Sequence, residues 1–529
     1  MPLEWKQFTD FDGGQNDVQH PRRIADNEFS QLLNFEFSEQ GSIRSRGGFV
    51  RYNTSPDFTS RITSLYNFIT AAQVSNLILT TGSEIYKDTS GVFTSIKGAL
   101  TLPTNTYWQW RTFNDLAIGV NGDSGAVDDT VKWSGAGNAA ALALTGISGA
   151  PVGAFTLEVF NSRLWMVFKS HPNRVYFSTL GNPEDWVASG GFIEVGYNDN
   201  DTIVGIYAHN GVLFVLKKRS IHFLQTRING QVATDPAGWK IDVLTKGGGC
   251  ISQFGIQVVL NDLVFPSYEG LISLKAVQQF GDFSAAIVSR KVTGLFNLNL
   301  SIDTFPSAVL MSKSMYLIGA PKTTTGTVNN RFYVMDYKQL EGGLRWTTFE
   351  SSIVNPSAMI VALISGKPIL FVGSDTPNFQ LYKYDDTVFS DHGNTPILKR
   401  FEHKSFNFGN SLIDKECKHA ALGINFSGSQ LSATWKVRID NNNSKVATIP
   451  LSVNNVSSGG VWDTGTWDVS LFASSTENEQ LIVSRIRGTQ GYRGKEFQHI
   501  FENDQLGQDI TIQTLGFGLG TLVEESTNV

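Results

Sequence analysis

Along the first three-quarters of the chain, apolar residues come in short runs, each bracketed by polar turn formers. Arg61–Phe68 alternates apolar and polar positions, and Asn76–Thr81 is an apolar run closed by Gly82-Ser83. Glu84–Lys87 and Gly91–Ile96 follow, giving four short strands bounded by turn residues. The same order returns at Tyr107–Arg111, Asp115–Val120 and Thr130–Trp133, then at Phe155–Val159, Arg163–Phe168 and Arg174–Ser178. Later copies open near Ile203, Phe254, Pro306 and Pro356. Openings at 62, 107, 155, 203, 254, 306 and 356 lie 45 to 52 residues apart. A period of this size with about four strands per unit predicts the blades of a β-propeller. A four-stranded twisted sheet cannot cover its own faces, so such sheets pack radially until the ring closes. Asn210–Leu216 and Lys367–Val372 read as inner strands buried on both faces. Six or seven blades are expected, ending near Asp386. A large β-sandwich or a solenoid is the alternative, and neither accounts for the period as directly.

From Pro396 the strands lengthen and alternate, as in Leu431–Ile439, Gln480–Arg487 and Asp509–Leu515. One apolar and one polar face suit a sandwich-like second β-domain at 391–529. The propeller is then placed at 61–390, with an N-terminal arm and closing strands at 1–60. Residues 1–30 carry Gly13, Gly14 and Pro21 with little apolar periodicity. They are expected to be extended and to pack on other elements or a neighbour, not on a core of their own. A propeller also needs its seam closed, because unpaired strand edges are a liability. Leu32–Phe37, or the hairpin to Phe49, is expected to pair with the last blade near Gln380–Tyr384.

Composition agrees with an all-β chain. Its 529 residues include 51 Gly, 12% aromatics and only 6 Met. A net charge of -6 gives no global basic field for gripping nucleic acid, although a conduit should not bind what it conducts. Cys250 and Cys417 are too few for a disulfide framework and are expected to be free, buried thiols. The N-terminus lacks a signal-peptide pattern, and no apolar run reaches the ~20 residues that span a bilayer. The most apolar stretch, Ala358–Val372, is broken by Ser365-Gly366-Lys367-Pro368. A soluble chain made in the cytoplasm, with no membrane insertion, is expected.

No catalytic constellation emerges. Gly122-Asp123-Ser124-Gly125 resembles the nucleophile turn of trypsin-like proteases, but Gln73 stands where that family carries its His and has no basic nitrogen to take the proton. Val461–Trp467 loosely resembles a sialidase Asp-box, yet occurs once, and Asp463 reads as a turn cap. Asp199 and Asp201, or Asp123 with Asp128 and Asp129, offer oxygen ligands without the distal Glu of a calcium loop. The histidines show no paired zinc spacing, and Gly491–Glu496 lacks the Ser/Thr and spacing of a P-loop. Two basic clusters remain: Arg44, Arg46 and Arg51, and Lys217-Lys218-Arg219. They are solvated turns, subunit contacts, or a ring of cations touching DNA phosphates.

The most specific text lies at the two ends. Phe11-Asp-Gly13-Gly14-Gln-Asn16 leads to His20-Pro21, Ile24, Asn27-Glu28, Asn34-Phe35 and Gly41-Ser-Ile43-Arg44-Ser-Arg46-Gly47-Gly48. Near the other end stand Lys404-Ser-Phe406-Asn-Phe408-Gly409, Lys415, Arg493-Gly494-Lys-Glu-Phe497-Gln498 and Leu515-Gly516-Phe517. This pattern resembles the tail nozzle and packaged-DNA stabilisation proteins of short-tailed phages, with Gln15 where a Leu or Ile is common. The resemblance implies a structural virion protein of the tail. Six copies would form a ring below the portal and adaptor, retain the packaged genome, touch DNA transiently and seat the tail tip or fibres. It implies no catalytic, cofactor-binding or metal residue and no cofactor. A receptor- or carbohydrate-binding tail β-protein is the alternative. Such a lectin would repeat exposed aromatics blade by blade, whereas Trp108, Trp110, Trp133, Trp165, Trp186, Trp239 and Trp346 fall at differing blade positions.

Overall fold

A computed structural model describes residues 4–521, except 39–40, 126–127, 187–190, 197–198, 226, 229–230, 233–237, 276–286, 296–303, 324, 339–342, 365, 376–377, 410–413, 455–471, 474–479 and 487–491. The chain divides into two compact units, one of Met1–Phe49, Tyr333–Ser352 and Asp385–Val529, the other of Val50–Phe332 and Ile353–Tyr384.

The second unit is a β-propeller. Its first blade runs Ile62–Ile69, Ser75–Thr81, Glu84–Thr89 and Val92–Ser95, each strand antiparallel to the next. The second spans Gln109–Phe113 to Ala140–Ala141, the third Ala154–Phe160 to Phe192–Glu194, and the fourth Ile203–His209 to Lys240–Lys246. The fifth has three strands, Gln257–Val259, Asp262–Ser267 and Gly270–Ser273. The last comprises Pro356–Ile364, Lys367–Ser374 and Leu381–Asp385, with Gly48–Arg51 as its fourth strand. These are six self-contained blades. Between the fifth and the last, Ser307–Leu310 pairs with Met315–Ala320 and adjoins the first strands of both neighbours. The first strand of the last blade adjoins Ile62–Ile69, which closes the ring.

The force holding blades together is apolar burial between them. Each core cluster draws on two neighbours: Phe68, Ile78 and Ile85 of the first blade meet Trp108, Trp110, Val131 and Trp133 of the second. Phe58, Ile62 and Leu79 meet Ala358, Phe371 and Leu381 across the seam. Each such large side chain contributes roughly 1.5–3 kcal/mol when fully buried. Second strands are buried on both faces, as in Leu213–Lys217, so they read as continuous apolar runs. The seam is closed by Gly48–Arg51, as the hairpin to Phe49 suggested, and not by Leu32–Phe37. Tyr52 N donates to Leu381 O at 2.8 Å, and the Asn53 side chain bonds both Gln380 and the Leu381 amide.

The first unit has two sheets. One runs Arg345–Phe349, Glu28–Leu33, Lys399–Phe406, Phe497–Asn503, Gln430–Ile439, Asn442–Asn454; the other includes Gln480–Arg485, Lys415–Phe426, Ile510–Thr521, Ile43–Ser45 and Phe35–Phe37. Both sheets contribute to one core, with Phe401, Trp435 and Phe501 from the first and Leu422, Ile424 and Phe517 from the second. The unit therefore joins both chain ends and the insert Tyr333–Ser352, where boundaries at 60 and 390 were expected. The arm packs on other elements of the unit, as expected. Glu4–Phe8 pairs antiparallel with Leu515–Leu519, and Phe8, Phe11 and Phe29 lie in the core itself. Gln15 is buried, its side-chain carbonyl accepting the Leu32 amide at 3.2 Å. A polar residue fits there because a backbone donor needs a partner.

Candidate functional site

Inside the propeller unit, the first strands of the first, second, fourth, fifth and last blades, with Ser307–Leu310, line a cavity of about 560 Å³. Tyr66, Trp110, Arg111, Tyr207, Gln253 and Met311 are among its lining residues. Side-chain bonds between adjacent blades fix this wall. Trp110 Nε1 donates to Ser64 Oγ at 3.1 Å, Gln109 accepts the Leu157 amide at 2.8 Å, and Gln257 donates to Ser307 O at 3.1 Å. These pairs are 46 to 50 residues apart, the repeat spacing itself. The same spacing brings Arg111 to Glu158, with Nε 3.1 Å from both carboxylate oxygens and Nη2 at 3.0 Å.

Among the described residues, Arg111 is the one charged residue of the lining, and Glu158 neutralises it. Burial disfavours the guanidinium charge, but the adjacent carboxylate outweighs it and holds the Arg111 pKa above its ordinary value. Burial also raises the Tyr66 and Tyr207 phenols, so neither ionises near neutrality. Among the described residues, the lining contains no Ser–His or Cys–His pair and no two carboxylates. Gln253 donates to Phe155 O at 2.9 Å while its buried Oε1 finds no partner. The chemistry on offer is hydrogen bonding and stacking, with Tyr66 stacked on Trp110 at 6.3 Å.

The residues singled out in the sequence do other work. Ser124 and Gln73 sit in exposed turns at opposite ends of the strands, Gln73 between the first and second strands of its blade and Ser124 between the second and third. Asp123 caps its own turn by accepting the Gly125 amide, and Asp129 accepts the Gly153 amide at 2.8 Å. Asp199 and Asp201 hold protein groups where a cation was considered. Lys217, fully buried, places Nζ 2.6 Å from Asp199 and 3.0 Å from Val195 O, while Asp201 takes the Arg219 amide and the Ser220 hydroxyl. Among the described residues no cluster of metal-ligating side chains occurs.

The basic clusters resolve similarly. Arg46 is fully buried in a bidentate pair with Asp391, Arg44 pairs with Asp509, and Arg51 with Asp57. Only Lys218 and Arg219 of the second cluster are exposed. All seven tryptophans considered for sugar stacking are buried. Cys250 and Cys417 are free and buried, and burial pushes both thiols up to about 12. Val461–Trp467 lies outside the described residues. The pair Arg111–Glu158 was not foreseen, although its separation by one repeat was a usable signal.

No family model matches the sequence, and no curated protein matches it. Among solved structures, the chain is similar to the RRP9 WD40 repeats, at 11% identity and TM-score 0.40, over 64% of this chain and 99% of that one. It is also similar to the extracellular domain of a hybrid two-component system of B. thetaiotaomicron, at 8% identity and TM-score 0.41, over 87% of this chain and 61% of that one. Likenesses at these scores carry no functional argument. No described helix is long and apolar enough to cross a membrane.

Proposed function

We propose that this chain is a structural subunit of a virus particle, of the nozzle kind found in short-tailed phages, and acts through surfaces without catalysis. One observation carries the reading. The segments that resemble that family lie at opposite ends of the sequence, yet Phe11, Phe35, Ile43, Phe406, Phe497, Leu515 and Phe517 share one core. The resemblance thus follows a single physical unit and is not scattered over unrelated loops.

The size of the propeller cavity supports a DNA path outside the propeller. A duplex with grooves about 8 Å deep on either side is more than ~16 Å across. One turn of it could not enter a space of about 560 Å³. The passage would therefore lie between copies, each chain forming a section of wall, in a ring that retains the genome and releases it. Closed rings need heterologous contacts whose rotation closes. Contacts weak in isolation become strong when a partner ring supplies many linked sites. Sedimentation of the purified chain with and without portal–adaptor complexes tests this. Monomers alone and closed rings on the connector are expected; a catalytic monomer that ignores the connector would refute it.

A further inference from the structure

First and second strands of each blade are joined by a tip, and three successive tips follow one rule. Asn114-Asp115 lies between paired Phe113 and Leu116, Asn161-Ser162 between Phe160 and Arg163, and Asn210-Gly211 between His209 and Val212. All six tip residues have positive φ. This is the two-residue hairpin turn that asparagine and glycine accommodate. The fifth blade keeps the geometry between Val259 and Asp262 but opens its tip with Leu260, at φ 50°. Leucine is strained there because Cβ crowds the backbone carbonyl. Its side chain is 55% exposed, so burial in its own blade offers little return. An outlier kept without local benefit points towards function.

Two further observations agree. Leu260 borders a cavity of about 310 Å³ with an apolar floor of Val212, Phe214 and Leu274. Asp262 there is occupied by the Ser273 hydroxyl and the Lys275 amide. That leaves the Lys275 ammonium as a rim charge without an ion pair among the described residues. Continuing round the ring, exposed apolar side chains recur at the tips: Met311 at 75%, Leu363 at 45% and Val74 at 54%. The exposed Lys367 lies on the same hairpin as Leu363. The second to fourth blades present Asn, Asp, Ser and Gly instead.

We propose that Leu260, Met311, Leu363 and Val74 form a docking arc for a different protein of the particle, one that presents an apolar segment with acidic residues at its margin. Lys275 and Lys367 select the acidic margin by charge complementarity. This rests on the assembly function proposed above. Leu260→Asn, Met311→Ser and Leu363→Thr, singly and together in the full chain, test it. Leu260→Asn restores the residue used by the other blades and is expected to raise Tm by a few degrees. A lower Tm would make Leu260 structural and overturn the proposal. Binding is read by sedimentation with the connector assembly isolated without this subunit. The triple variant is expected to bind roughly a hundredfold more weakly than the unmodified chain. Equal binding overturns the docking arc and leaves the assembly function standing. An unmodified chain that does not bind overturns both. Self-association lost in the triple variant would assign the arc to a second copy and overturn the choice of partner.

Discussion

Replacing Arg46 by methionine should destabilise the two-sheet unit by about 3–5 kcal/mol, the usual cost of breaking a buried ion pair from one side. Every N–H of the guanidinium is engaged. Nε donates to Asn34 at 2.8 Å, Nη1 to Gly47 O and Asp391, and Nη2 to Glu350 O and Asp391, all within 3.0 Å. The Arg46 and Asp391 side chains are 0% and 1% exposed. Five charge-assisted bonds at roughly 1.5–3 kcal/mol each would suggest a larger number. Removing the guanidinium also removes its own desolvation cost, so the sum overstates the loss. What remains is a buried Asp391 carboxylate holding the Phe49 amide at 3.0 Å. Adding Asp391→Leu should therefore recover at least about 1 kcal/mol, a coupling that a double-mutant cycle measures. Urea unfolding of the four variants supplies the numbers. A cost below about 1 kcal/mol for Arg46→Met would mean that the pair contributes no more than an exposed one. The burial argument would then be wrong.

The same unit should lose stability in acid. Burial lowers the His403 pKa to about 3 and sets His499 well below its ordinary value, so the unfolded chain binds more protons than the native one. Their contribution is complete above about pH 6.5 and is lost as pH falls towards 3, with a slope of up to about 1.4 kcal/mol per pH unit for each. Unfolding free energies that stay flat between pH 6.5 and 4.5 would contradict this. Cys250 and Cys417 should resist a thiol reagent until the chain unfolds, because burial keeps both protonated at neutral pH. Labelling of the native protein within minutes would overturn that. Millimolar calcium should leave Tm unchanged, since Lys217 Nζ already fills the Asp199 loop. A rise of several degrees would show that the ammonium is displaced.

The blades were legible because their information is local and repeated. The first strands of the six blades begin at 62, 109, 154, 203, 257 and 356, and the extra hairpin at 307, all within a few residues of the openings read from apolar runs and turns. Which arm residues are buried was not legible, because Phe11 and Ile24 enter the interior from irregular chain and share no strand or helix period with Phe8 and Phe29 of the flanking strands. Arg46 and Lys217 misled for another reason. A cationic residue in a turn-rich sequence reads as solvated, and its burial depends on Asp391, 345 residues away, or on Asp199 in a preceding loop. The unpaired Gln253 oxygen is likewise set by blade packing and not by its neighbours in sequence.

Gly48–Arg51 has a consequence for how the molecule is made. It leaves the ribosome ahead of all the blades, whereas its partner Leu381–Asp385 comes more than about three hundred residues later. At ~5–20 residues per second, that strand waits on the order of tens of seconds with its edge unsatisfied. Until then the first and the latest finished blades each expose an apolar flank, and a nascent chain is open to pairing with a neighbour on the same messenger RNA. The last strand to dock is thus translated before the blades it closes, and correct folding becomes a race between synthesis and misassociation.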